Sequence, residues 1–150
     1  MGNQHVEAHA EIPATADAIY AILRDYHNGH PHILPKQYFP RLEVEQGGEG
    51  TGTIVQVTTR VMGQERSYRM VVEEVEPGRV LTETAETAGL VTTFTVTPLT
   101  DNRSRVTIAT DWETAGGLAG FFERLLTPGL LKRVYQAELQ QLADFVAENR

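Results

Sequence analysis

The stretch VLTETAETAGLVTTFTVTPLTDNRSRVTIATDW, residues 80–112, decides the fold. Threonine alternates there with Val, Leu, Phe and Ile, and Ala88-Gly89 and Asp101-Asn102 punctuate it at hairpin spacing. β-branched side chains suit a pleated surface better than a helix, and Gly and Asn accept the backbone angles of tight turns. The pattern reaches back to Arg41 through further turns at Gly47-Gly48, Met62-Gly63-Gln64 and Pro77-Gly78, and 14 of the chain's 17 Thr lie between Thr51 and Thr110. Six antiparallel strands are predicted, centred near Val44, Val57, Met70, Thr82, Thr95 and Thr107. Upstream, Val6, Ala8, Ala10 and Ile12 alternate with His5, Glu7, His9 and Glu11, the period of a seventh, half-buried strand.

Helical periods flank this sheet. Thr15 can cap a helix whose Ile19, Ile22, Leu23 and Tyr26 share one face, with Asp17 near its positive end, and Asn28-Gly29 closes it. His30-Pro-His-Ile-Leu-Pro35 leaves room for little more than one further turn. After Gly116-Gly117 an apolar stripe runs through Leu118, Phe121, Phe122, Leu125 and Leu126, then Leu131, Val134, Tyr135, Leu139, Leu142, Phe145 and Val146. Run straight, such a helix would span ~50 Å, longer than a compact domain of this size is wide. Pro128-Gly129 supplies the break.

A chain of 150 residues, 41% hydrophobic and 22% charged, is expected to form a single domain over residues 1–150. At this size it buries roughly 70% of its unfolded surface without a staple. The absence of Cys excludes disulfides, thiolate zinc sites, iron–sulfur clusters and a cysteine nucleophile. A net charge of -7 with no basic cluster argues against nucleic acid and anionic membranes. Nine acids against four bases lie between Glu43 and Glu86, read as a solvated strand face. The polar start and the lack of a ~20-residue apolar run predict a cytoplasmic protein, monomer or homodimer, with no integral membrane association.

A strand, two short helices, a six-strand meander and a long terminal helix is the order of the helix-grip fold. The sequence resembles the superfamily of START lipid-transfer domains, aromatic polyketide cyclases and the birch pollen allergen (SRPBCC). The matching stretches are Ile12-Pro-Ala-Thr-Ala-Asp-Ala-Ile-Tyr-Ala-Ile-Leu-Arg-Asp25, His30-Pro-His-Ile-Leu-Pro35, Gly47-Gly-Glu-Gly-Thr-Gly52 and Val72-Glu-Glu-Val-Glu-Pro-Gly-Arg-Val-Leu81. The resemblance implies an α+β fold in which a bent seven-stranded antiparallel sheet wraps the C-terminal helix and encloses an apolar molecule. Such pockets are largely hydrophobic with a few convergent polar groups. Candidate lining residues are Tyr26, Tyr68, Met70, Phe94, Val96, Ile108, Thr110, Trp112, Phe121, Phe122 and Leu125. Buried aromatics also fill ordinary cores, which is the plainer reading of each.

Two parities remain open on the strand around Thr82. Either Val80, Thr82 and Thr84 or Leu81, Glu83 and Ala85 face inward, and the resemblance favours Leu81 in the core. Glu83 would then enter the cavity, desolvated or paired with Arg69 or Arg60; solvent is the plainer expectation for a Glu lacking a partner. All five His lie in the first 32 residues, and His27, His30 and His32 crowd one turn without matching a metal-ligand spacing. No metal and no cofactor are expected. One of these His, with Tyr26 or Tyr38, is read as a polar contact at the cavity mouth. Ser67 and Ser104 sit in no nucleophile elbow, and no helix follows the Gly47–Gly52 loop to make a phosphate site. Two functions follow: a binding or carrier protein for a lipid, isoprenoid or polyketide-like molecule, or a polyketide cyclase or dehydratase. For the latter, Glu83, His30, Tyr68 and Arg69 are the candidate acid, base or orienting groups.

Overall fold

The structure is a computed structural model that describes residues 3–113 and 128–149. In chain order the elements are β1 (Asn3–Ile12), α1 (Ala16–Arg24), a 3-10 turn (His30–Ile33), β2 (Arg41–Gln46), β3 (Ile54–Val61), β4 (Gln64–Glu76), β5 (Val80–Ala85), β6 (Leu90–Thr100), β7 (Arg103–Glu113) and α2 (Pro128–Glu148). Among the described residues, seven strands form one antiparallel sheet in the order β1-β7-β6-β5-β4-β3-β2. Strands β2 to β7 form a meander, and β1 pairs with the last of them, Val6 opposite Thr110 and Ile12 opposite Ser104. This is the helix-grip fold. The turns fall where Gly and Asn mark them, and Ala8 and Ile12 of β1 face the core while Glu7 and Glu11 face solvent.

α1 begins as its sequence dictates. Thr15 Oγ1 accepts from the Ala18 backbone N–H at 3.1 Å, filling one of the unpaired donors of the first turn. Ala16, Ile19, Tyr20 and Leu23 then turn inward. α2 likewise buries Leu131, Val134, Tyr135, Leu139, Leu142 and Val146 at helical spacing. Phe145, expected in that stripe, is only half-buried and stacks on His32 with ring centroids 4.7 Å apart. The expected helix before Pro128, with Leu118, Phe121, Phe122, Leu125 and Leu126, lies outside the described residues.

The helix does not cover the sheet evenly. α2 packs closest on β1 and on the 3-10 turn, where Gln141 Nε2 donates to the His32 carbonyl at 3.2 Å. Val6, Ala8, Val96, Val106 and Ile108 fill that side solidly. Toward β3, β4 and β5 the space between helix and sheet stays partly open.

Candidate functional site

That open space is a cavity of about 110 Å³. Its walls are mostly apolar: Val57 on β3, Met70 on β4, Leu90 and Phe94 on β6, and Leu130, Leu131 and Val134 on α2. Half-buried Tyr38, Phe39, Leu42, Val61 and Tyr68 add to the lining. Against this background the polar groups stand out: His30, Glu83, Thr92, Tyr135 and Glu138.

Glu83 faces inward. On β5 Leu81, Glu83 and Ala85 are buried, which corrects the expectation that Glu83 meets solvent. That expectation rested on the lack of a partner, and the fold supplies partners distant in sequence. Tyr26 O–H donates to Glu83 Oε2 at 2.6 Å, in the range of a charge-assisted bond, and His30 Nε2 stands 3.4 Å from the same oxygen. Neither Arg considered as a partner reaches it: Arg69 pairs with Glu45 on the outer face, and Arg60 with Glu65.

Tyr26 and His30 are themselves fixed from behind. The Tyr26 ring stacks on the His30 ring, centroids 4.4 Å apart and 14° from parallel, and Phe94 meets His30 edge-on at 5.2 Å. His30 Nδ1 donates to the Leu23 carbonyl at 2.9 Å, so Nε2 is the nitrogen left for Glu83. Burial first, then the charge of Glu83, pushes the Tyr26 phenol well above its ordinary range. One of His27, His30 and His32 was expected at the cavity mouth; His30, at 1% exposure, is part of the inner wall. His27 and His32 are exposed. Among the described residues no group of three or more His, Asp or Glu is placed to hold a metal ion.

The Gly47–Gly52 loop sets Tyr26 in place. Its Gly48 carbonyl accepts from the Tyr26 N–H at 2.8 Å, and its Gly50 N–H donates to the Arg24 carbonyl at 2.9 Å. Gly50 has φ +64°, and a Cβ there would lie 2.0 Å from Glu74 Oε1. Only glycine fits both demands. Glu74 accepts from Tyr20 O–H at 2.9 Å, from Arg24 Nε at 3.2 Å and from the Thr51 N–H at 3.2 Å. Arg24 foremost holds its carboxyl below the usual range. The loop, a turn between β2 and β3, thus also clamps α1 to β4.

α2 brings in groups that sequence reading passed over. Tyr135 O–H is bonded to Thr110 Oγ1, which is 2.8 Å from Thr92 Oγ1, so this polar chain is satisfied internally. Burial pushes the Tyr135 phenol up. Glu138 is different: it is 3% exposed, and its Oε2 has no hydrogen-bond partner among the described residues. Burial, with the charge of Glu83 added, pushes its carboxyl well above the usual range. The signal was available, since Glu138 lies seven residues after Leu131, four after Val134 and three after Tyr135, on the inward stripe.

Of the candidate residues, Tyr68, Met70, Phe94, His30 and Glu83 line the cavity. Tyr26 lies behind Glu83, and Val96, Ile108, Thr110 and Trp112 are buried elsewhere in the core. Arg69 lies on the outer surface. Phe121, Phe122 and Leu125 fall outside the described residues.

Comparison with known proteins places this geometry in context. A family model described as polyketide cyclase / dehydrase and lipid transport matches residues 3–147. No curated protein matches the chain. Among solved structures, the KanY protein is 29% identical with a TM-score of 0.83, covering 98% of this chain and 99% of its own. The Zhui aromatase/cyclase from Streptomyces sp. R1128 is 21% identical with a TM-score of 0.73, covering 95% and 93%. A START superfamily protein from Mycobacterium smegmatis is 14% identical with a TM-score of 0.73, covering 99% and 100%. At those last two identities the likeness shows the fold.

Proposed function

The chain belongs to the polyketide cyclase/dehydrase and lipid transport family, and from that membership we propose that it binds an apolar or amphipathic small molecule between the sheet and α2. The observation that carries this reading is the apolar cavity with Glu83, His30 and Glu138 among its walls. A protein that needed only a stable core would gain by filling this space, since buried voids and unpaired polar atoms both cost stability. A lipid, an isoprenoid or a polyketide-like molecule would place its apolar body against Met70, Leu90, Phe94 and Val134 and its polar group at the glutamates. No helix among the described residues is long and apolar enough to cross a membrane.

Native mass spectrometry and thermal-shift screening against fatty acids, isoprenoid alcohols and small aromatic ketones test this reading. Raised melting temperature and a one-to-one complex are expected for at least one class. Binding that survives Phe94→Arg, which fills the cavity with a charged side chain, would place the ligand elsewhere and refute it.

One observation favours the cyclase or dehydratase reading as a second. Two of its candidate groups, Glu83 and His30, converge within 3.4 Å at the cavity wall. A carboxylate beside an imidazole there suits removal of a proton next to a ligand carbonyl, the proton passing to Glu83 or His30 and returning at the new position. Turnover by the unmodified protein and its loss in Glu83→Gln, with binding retained, is the outcome expected of an enzyme.

A further inference from the structure

We propose that Glu138 is a hydrogen-bond donor that selects, within this cavity, neutral ligands carrying a carbonyl oxygen. The inference rests on the ligand-binding reading above and says which polar group the ligand presents. Three observations bear on it. Glu138 occupies a core position of α2, lines the cavity, and has an oxygen that no group among the described residues satisfies. The neighbouring polar groups are already engaged: Tyr135 with Thr110, and Glu83 with Tyr26 and His30. A buried polar atom left without a partner in a helix stripe destabilises the fold, and a leucine would serve packing better.

The charge balance of the site identifies the ligand group. Glu83 has Tyr26 and His30 beside it, whereas among the described residues no Lys or Arg lines the cavity beside Glu138. Desolvation first, then the charge of Glu83, pushes the Glu138 carboxyl well above the usual range, which favours its protonated form. A protonated carboxyl offers an O–H donor, as neutral acids do in apolar active sites. Its complement is an oxygen acceptor with no charge of its own. A ligand amine would instead require Glu138 to ionise in the same apolar enclosure as Glu83.

A matched trio of one-ring probes separates these outcomes: acetophenone, ethylbenzene and 1-phenylethylamine, alike in shape and differing at one group. Dissociation constants are measured by protein-observed NMR for the unmodified protein, Glu138→Leu and Glu138→Gln, each checked for its folded spectrum. The preference for acetophenone over ethylbenzene should fall about tenfold in Glu138→Leu, the loss of one buried hydrogen bond. Glu138→Gln, whose amide still donates, should keep most of that preference. An unchanged preference in Glu138→Leu overturns the assignment. So does tightest binding of 1-phenylethylamine that vanishes in Glu138→Gln, because a carboxylate recognising a cation would then be at work. Binding of ethylbenzene in the cavity without any ketone preference rejects the donor alone. Failure of all three probes overturns the assignment and leaves the ligand-binding reading to the wider screen above.

Discussion

Two glutamates on neighbouring strands each accept from a tyrosine at or just beyond α1, and the resemblance ends there. Glu74 takes Tyr20, both ends of the Arg24 guanidinium and the Thr51 backbone, so every near neighbour stabilises its charge. Glu83 takes Tyr26 and the edge of His30, and it shares an apolar enclosure with a second carboxyl. The first cluster is a finished clamp. The second is arranged around a space the protein does not fill, and Glu138 is its least satisfied member. The difference separates a carboxylate that holds the fold from carboxyls held by the fold.

The strongest way to break the comparison is through the clamp. Gly50→Ala forces a side chain into a left-handed backbone and against Glu74, and a loss of about 2 kcal/mol is expected by urea denaturation. Because the loop also holds the Tyr26 N–H, the cavity wall should loosen with it. Next comes a difference of sign. Glu74→Leu should lose about 1–2 kcal/mol by abandoning Arg24 and Tyr20, whereas Glu138→Leu should gain about 1 kcal/mol by removing an unsatisfied buried group. Two losses in the same melting experiment would make Glu138 a structural residue like Glu74.

The smallest effect is a slope with pH, at most about 1.4 kcal/mol per pH unit for one proton. Glu74 is held low in the folded state. Its contribution is present above the unfolded carboxyl range near ~4.3 and fades as pH falls through the lower folded value, so Glu74→Gln should flatten the acid limb. Glu138 is held high. Its protonated form stabilises fully below the unfolded range, and that contribution is lost as pH rises through the higher folded value. Glu138→Gln should therefore flatten the decline on the other side. Stability curves by chemical denaturation across pH distinguish the two.

Much of the architecture was legible because periodicity is a local property. Alternation from Arg41 to Trp112 located every strand of the meander, and the Gly and Asn turns located their ends. The site was only half legible. Leu81 and Glu83 share a parity, so burying one buries the other, but a bare strand pattern does not say which face wins. What decides it is Tyr26, 57 residues away, and no local rule brings the two together. Arg69 looked an equal partner in sequence, yet it sits on the strand face opposite Met70 and therefore meets Glu45 outside. Glu138 was readable in principle. An acid in phase with Leu131, Val134 and Tyr135 breaks a helix stripe, and such a break is a local signal.

The bond from His30 to Leu23 has one further consequence. Leu23 lies in the last turn of α1, where carbonyls have no partner farther along the helix and carry its partial negative charge. The ring that forms a cavity wall is thus also the capping group of a helix, and it cannot rotate toward the cavity without exposing that carbonyl. The helix end, rather than solvent, selects the tautomer. Any replacement of His30 by a side chain unable to donate at Nδ1 alters backbone accounting and cavity chemistry in one stroke. Losses of folding and of ligand binding at this position will arrive coupled, and only a residue that restores the cap will separate them.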